Sequence, residues 1–390
     1  MTRPRIPRQS DIARLAGVSQ ATVSMVLNDR AADNRIPEST QQRIREAMAE
    51  LGYVPNIAAQ SLRGGRSGLI GVHTFERVFP TAPDDYYREF LNGIEEQAVN
   101  SGLDLVLFAS TQKPDGTRSI YGSGSNRMRL ADGAIILGFE KNDDEIRRLS
   151  DEGFPFVFIG RREVAGLDIP FVTADYAAAM GPVVQTLVDA GHRNVTYLAA
   201  PLRALAQQER LEGFEAAIAS AGQILSHRVE VRPESAVTAD VDQILSHRVE
   251  VRPESAVTAD VDQILSHRVE VRPESAVTAE WVNDVRRGGS TAIVVETFDL
   301  ARALAAALAD AGLVAPRDLS VISLDADPSG GGAFSHVRVP RRAMGRRAVE
   351  LLLAVIDGAD APTLTEPVHC EPPATDTVGA PAPAALASSA

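Results

Sequence analysis

The sequence has one cysteine, Cys370, so no disulfide can close within the chain, and this usage fits a reducing compartment. It has two lysines, Lys113 and Lys141, so arginine carries nearly all of its positive charge, a skew that reads as a GC-rich coding bias. No apolar run approaches the ~18 residues that a membrane-spanning helix needs. The N-terminus, MTRPRIPRQSD, is basic but lacks the apolar core of a secretory signal. A cytoplasmic protein with no membrane partner is therefore expected. The sequence also lacks GxSxG, a P-loop, HExxH and any other nucleophile constellation, so neither an enzyme nor a cofactor is expected.

What is present is an ordinary globular composition, 44% hydrophobic and 23% charged, over 390 residues, enough for two or three domains. The formal charge of −13 is unevenly spread. Residues 1–66 hold ten arginines against six acids, a net +4, and the remainder carries −17. A basic module on an acidic body is the footprint of a nucleic-acid binder.

That module contains SDIARLAGVSQATVSMVLN, Ser10 to Asn28. Ser10 is placed to cap a first helix over Asp11–Ala16, Gly17 to supply a turn, and Ser19 to cap a second helix over Gln20–Leu27. Ile12, Leu15, Val18, Val23 and Leu27 are the apolar positions of two helices packed across a tight turn. This is a helix-turn-helix, whose second helix can enter the major groove of DNA. Gln20 can pair with adenine and Ala21 can touch a thymine methyl, although Gln20 also suits a solvated helix start. Ser19, Thr22, Ser24 and Asn28 are short donors suited to phosphate or to local capping. Pro37 opens a third helix, Glu38–Leu51, with Ile44, Ala47, Met48 and Leu51 at core spacing, and Gly52 stops it. The short stretch IAAQSLR and then Gly64-Gly65-Arg66-Ser67 follow, read as a marginal helix and a flexible joint.

Beyond it, short apolar runs alternate with helical stretches. The runs are Leu69–His73, Asp104–Phe108, Gly133–Leu137, Phe156–Ile159, Val195–Ala199, Ala292–Val295 and Leu319–Leu324. The helical stretches include Glu89–Ser101, Ala178–Ala190, Arg210–Ala221, Leu300–Ala311 and Met344–Ile356. Such alternation implies parallel sheets covered on both faces, with ligands bound beyond the carboxyl ends of the strands.

The chain resembles the lactose-repressor (LacI/GalR) family of bacterial transcription regulators. The resemblance is carried by DIARLAGVSQATVSMVLN, AMAELGYVPN and AAQSLR, then LIGV, FLNGIEEQA, DGAIIL, GHRNVTYLA, ERLEGFEAAI, DLSVISLD and GRRAVELLLAVIDG, in family order over roughly residues 10–370. It implies a small all-α head on an α/β periplasmic-binding-protein-like body of two doubly wound parallel-sheet subdomains. It implies a homodimer, or a tetramer, that binds double-stranded operator DNA under control of a small-molecule effector, a sugar or related metabolite, held between the subdomains. The alternative is a solute-binding receptor of the same body fold. The implied divisions are a head at 1–54, a hinge helix and linker at 55–67, an effector-binding and dimerisation domain at 68–370, and a disordered tail at 371–390.

By the same resemblance Leu62 is a minor-groove wedge, and Asn56 and Ala59 are hinge contacts. Arg210 and Asp325 match the effector-binding arginine and aspartate, and Tyr86 and Tyr87 an aromatic pair lining the site. Each has a plainer reading: a surface charge for Arg210, a strand-end turn for Asp325, a helix staple for the tyrosines. The sequence also departs from the family. Met25 stands where an arginine is usual, Thr297-Phe298 where Asn-Asp is usual, Gly160 before Arg161 where an aspartate is common, and YGSGS (121–125) where a helix is expected.

One feature belongs to this sequence and not to the family pattern. QILSHRVEVRPESAVTADVD occurs at 223–242 and 243–262, and its first seventeen residues recur at 263–279. Identity of the copies points to duplication of a coding segment within a surface connection. The recurring His227, His247 and His267 follow from duplication, so no metal site is expected.

Overall fold

The computed structural model describes residues 7–27, 31, 33–53, 66–75, 86–111, 118–122, 124–138, 142–200, 205–222, 226–231, 270–271, 277–359 and 367–382. The chain divides into two compact units, Met1–Leu69 with Leu130–Asp132, and Ile70–Arg129 with Gly133–Ala390.

The first unit carries α1 (Gln9–Ala16), α2 (Gln20–Leu27) and α3 (Glu38–Leu51). Helix α1 starts earlier than Ser10 predicts: Arg8 is the cap residue, and the Asp11 carboxylate accepts its backbone N–H at 2.9 Å. A carboxylate in the first turn satisfies an orphan N–H and meets the positive end of the helix dipole, so it displaces the serine hydroxyl. Gly17 turns the chain at φ 66°, in the left-handed region that a β-carbon disfavours. Ser19 does cap α2, its Oγ accepting the Thr22 N–H at 3.1 Å. Ile12, Ala13, Ala16, Val23, Ile44 and Ala47 form the core, with Val18, Leu27, Met48 and Leu51 packed against it. Leu15 is 46% exposed, against expectation. The buried stripe of α1 runs through residues 12, 13 and 16, and position 15 falls about 100° round the helix from its centre. Ser67, read as part of a flexible joint, donates from its N–H and Oγ to the Asp132 carboxylate at 2.6 and 2.8 Å, and the Gly68 N–H joins at 2.9 Å.

The second unit holds two parallel sheets. The first, ordered β2-β1-β3-β4-β5, comprises β1 (Leu69–Thr74), β2 (Asp104–Leu107), β3 (Gly133–Leu137), β4 (Phe156–Ile159) and β5 (Phe171–Val172). Register runs from Ile70↔Gly133 to Thr74↔Leu137, and from Ala134↔Phe156 to Ile136↔Phe158. The connections are α4 (Arg88–Asn100) after β1 and α5 (Asp143–Asp151) after β3. After β5 the chain enters the second half through α6 (Met180–Asp189), β6 (Asn194–Ala199), α7 (Leu205–Ala221), β7 (Ser226–Val231), β8 (Glu270–Val271), α8 (Ala279–Arg287), β9 (Ala292–Val295), α9 (Phe298–Asp310), β10 (Ser320–Ser323) and β11 (Ser335–His336). This sheet is ordered β11-β10-β9-β6-β7-β8. The chain then returns: α10 (Arg341–Ile356) puts Met344, Ala348, Val349 and Leu352 into the core of the first sheet beside Ile70, Val72, Phe90 and Ile94. Helices α5 and α8 and strands β5, β7, β8 and β11 were not anticipated in the sequence. Most are short, and α5 and α8 expose more polar than apolar surface.

Helices α4 and α10 meet backbone to backbone. A β-carbon on Gly93 would stand 2.0 Å from the Arg342 carbonyl oxygen, and one on Gly345 would stand 2.2 Å from that of Phe90. Strands β7 and β8 come from the first and third copies of the repeat, and equivalent residues of the copies pair: Glu230↔Glu270 and Val231↔Val271.

Residues of the expected disordered tail are tied to the second sheet by hydrogen bonds. Thr377 receives the Val321 N–H at its carbonyl, donates its hydroxyl to the Val321 carbonyl at 2.6 Å, and bonds Ser335 through both backbone and hydroxyl. The Gly379 N–H donates to Ser320 Oγ at 3.0 Å, and that hydroxyl meets the buried His192 ring, which also reaches Thr291 Oγ1 at 2.9 Å. These bonds occupy strand groups of β10 and β11 that would otherwise be left without protein partners, and so hold a Pro- and Ala-rich segment that composition alone marks as loose.

Candidate functional sites

On α2, Ser19, Gln20 and Ala21 are exposed, and Thr22, Ser24 and Met25 are half-buried. Val23 is fully buried and faces α3 and α1. At about 100° per residue, Ala21, Ser24 and Met25 lie on the side opposite Val23 and Val26. The Ser19 and Thr22 hydroxyls lie 2.9 Å apart, so both take part in the cap. Asn28, Asn56, Ala59 and Leu62 lie outside the described residues.

In the second unit, a cavity of about 360 Å³ opens at the carboxyl ends of β3 and β4. Tyr86, Tyr87 and Phe90 at the start of α4 line one side, Phe158 to Glu163 another, and Gly138, Thr173, Tyr176, Leu205, Ala206, Gln208 and Met344 the rest. Tyr86 and Tyr87 stack edge to face at 5.1 Å, and Tyr86 also leans on Phe90 at 5.9 Å, so the pair lines the cleft and staples α4 together. Gly160 has φ 94°, which explains a glycine where the family favours aspartate. Arg161 pairs with Glu163 at 2.8 Å and Glu209 at 3.4 Å. Burial raises the Glu209 carboxyl, with Arg161 opposing.

Behind this cavity lies a charged cluster. Arg210 is 3% exposed and Asp325 4%, so Arg210 is no surface charge. The Arg210 guanidinium stands 4.7 Å from the Tyr176 ring centroid and donates to the Glu296 carbonyl at 3.5 Å. Asp325 does two things: Oδ1 accepts the Ala326 N–H at 2.9 Å, as a strand-end turn residue would, and is ion-paired with Arg341. Asp325 also lines a second cavity of about 190 Å³ with Phe298, Arg302, Asp327, Phe334 and His336. Arg341 is 7% exposed and lies 4.3 Å over the Tyr86 ring. Burial pushes the Tyr176 hydroxyl far up and the Cys370 thiol up to about 11, so both stay neutral. Glu296, fully buried, accepts from the Tyr197 hydroxyl at 3.0 Å and the Ala200 N–H at 2.6 Å.

Sequence reasoning missed Arg341, Tyr176 and Glu296. Arg341 did carry a signal: the first turn of α10 holds arginines and no acid, the reverse of what the helix dipole favours. Thr297, where asparagine is usual, caps α9 by accepting the Leu300 N–H at 3.3 Å. Of the YGSGS stretch, Tyr121 and Gly122 form a turn and Gly124 and Ser125 a bend, with Arg148 3.8 Å over the Tyr121 ring and the Ser119 hydroxyl on Glu145.

The described residues thus combine a helix-turn-helix head with a two-sheet α/β body that carries a cleft at its strand ends. Residues 10–56 match the family described as bacterial regulatory proteins, lacI family, and residues 73–340 match periplasmic binding proteins and sugar binding domain of LacI family. The chain belongs to the LacI family. Catabolite control protein A of Priestia megaterium is 28% identical over 54% of this chain and 61% of its own length. The regulator AglR of Rhizobium meliloti is 32% identical over 54% of this chain and 57% of its own. The chain thus spans about three fifths of the length of these curated relatives. Among solved structures, a lac repressor dimer bound to operator and an anti-inducer shares the fold, with a TM-score of 0.62 and 20% identity over 94% of this chain and 97% of that one.

Proposed function

We propose that this chain is a sequence-specific DNA-binding transcription regulator, a repressor, that acts as a homodimer in the cytoplasm under control of a small-molecule effector. The observation that carries the reading is the exposed Gln20–Ala21 start of α2, set by its Ser19 cap, in a chain whose body holds a tyrosine-lined cleft. Gln20 and Ala21 read base edges, Ser19, Thr22, Ser24 and Asn28 hold phosphates, and Leu62 kinks the operator with Asn56 and Ala59 beside it. Arg210, Asp325, Tyr86 and Tyr87 serve the effector. Binding-protein bodies also serve solute receptors, and the basic head favours regulation over that use. No chemistry is assigned to the chain, and no helix among the described residues is long and apolar enough to cross a membrane.

The test is a gel shift over a salt series on near-palindromic promoter DNA. Affinity should fall steeply as salt rises, because arginines of the +4 head displace counterions from phosphate. Affinity flat with salt, or no binding to any promoter fragment, would count against the regulator.

A further inference from the structure

We infer that Asp132 is a positioning residue for sequence-specific DNA binding: its carboxylate pins the chain at Ser67 and Gly68, where the linker from the head enters β1. This rests on the regulator reading above and adds a residue to it.

The head is joined to β1 by a single stretch of chain, and that stretch ends in Arg66, Ser67 and Gly68. Asp132, half-buried and one residue ahead of β3, closes on this entry with both carboxylate oxygens. Oδ1 accepts the Ser67 N–H at 2.6 Å and the Ser67 hydroxyl at 2.8 Å, and Oδ2 accepts the Gly68 N–H at 2.9 Å. Two more bonds close the ring. The Ser67 hydroxyl oxygen accepts the Leu69 N–H at 3.2 Å, and the Asp132 N–H donates to the Leu69 carbonyl at 2.9 Å. Hydrogen bonds to an ionised carboxylate are stronger than those between neutral groups, so three on one side chain make a firm anchor.

The anchor itself stands on a stiff element. All five residues of β3 are buried, and the strand pairs with β1 on one side and β4 on the other. Gly138, which follows its last residue, lines the cavity of about 360 Å³. Without the carboxylate, Ser67 and Gly68 regain backbone freedom that must be lost again on the operator. A dimer that reads a palindrome needs its two heads at one spacing, so slack in the linker weakens specific binding. Non-specific binding draws on the charge of the head and is indifferent to that slack.

The experiment compares the full chain with Asp132→Ala, Ser67→Ala and Ser67→Thr by fluorescence anisotropy. One duplex is a palindrome that the wild-type protein selects from a random pool, and the other is a random sequence of equal length. Asp132→Ala should weaken binding to the selected duplex roughly 10- to 100-fold and leave the random duplex within about twofold. Ser67→Ala keeps both backbone donors and should lose less, and Ser67→Thr keeps the hydroxyl and should bind as the wild type does. Limited trypsin digestion reads the pin without DNA. Arg66 is exposed and the next N–H is the pinned one, so the Arg66–Ser67 bond should be cut several times faster in Asp132→Ala. Melting curves show whether each variant folds, and if Asp132→Ala does not, the two Ser67 variants decide by the same measurements. Equal loss on both duplexes, no loss on either, or an unchanged rate of cleavage after Arg66 would overturn the inference. A wild-type chain that selects no sequence would overturn the regulator reading instead, with the pin still read by the cleavage rate.

Discussion

Met25 lies on the outward side of α2, five residues beyond Gln20, where the family resemblance implies an arginine, a side chain able to read guanine. A thioether offers a base only apolar contact, so this chain should not require that guanine and should tolerate or prefer a thymine methyl there. Met25→Arg should shift preference toward guanine by ~1–3 kcal/mol at that one step. Selection from a randomised half-site pool, with both proteins in the same salt, checks this. Identical base preferences would mean residue 25 does not face the bases. His73 sets a second test. It is fully buried on β1, edge-on to Phe75 at 4.8 Å, and burial, then the Arg118 charge, lowers its pKa from 6.5 to about 3. The unfolded chain therefore binds a proton that the folded chain refuses. This histidine's contribution is intact above pH 6.5 and is lost as pH falls toward 3, at about 1.4 kcal/mol per pH unit. Urea unfolding at pH 4–7 should show about one proton less of pH dependence in His73→Leu. In the buried charged cluster behind the cavity, Arg210 and Asp325 were named from motifs. Arg341 was not, because its meaning depends on a carboxylate sixteen residues away that only the return of the chain brings beside it.

At the scale of elements, the contact between α4 and α10 allows little freedom. Gly93→Ala or Gly345→Ala would push a methyl into a carbonyl on the facing helix, and neither backbone can retreat without opening the core around Ile94 and Val349. Either change should cost at least the 1–3 kcal/mol typical of overpacking, read as a lower denaturant midpoint with little change in slope. A midpoint at the wild-type value would show that the helices can slide apart. Elements of strong period or continuous apolarity were legible: α2, α3, β3, β4 and β9 fall at their expected bounds. The two-residue strands β5, β8 and β11 were not, since their pairing is decided by neighbours distant in sequence rather than by any local pattern. The tail misled for the same reason. Its composition is that of a loose segment, and its hold comes from hydroxyls and amides at β10 and β11.

Across the whole molecule, the repeats lengthen the connection between α7 and α8 without adding a new kind of segment. Deleting residues 223–262 would join Gly222 to the seventeen-residue third copy, which runs into the start of α8. Loop length costs only ~0.6 kcal/mol per doubling. The shortened chain should therefore melt within about 2–4 °C of the original and bind DNA alike. A clearly lower melting temperature would make the extra copies integral structure. The pairing of β7 with β8 has a consequence for genetics. The segment SHRVEV stands in the chain three times, at 226–231, 246–251 and 266–271, and the last two residues of the first and third copies already pair in one sheet. Damage to one copy leaves two intact versions of the same hexapeptide in the chain. Scanning β7 by single substitutions will therefore under-report its importance, and its worth will show only when the same change is written into all three copies at once.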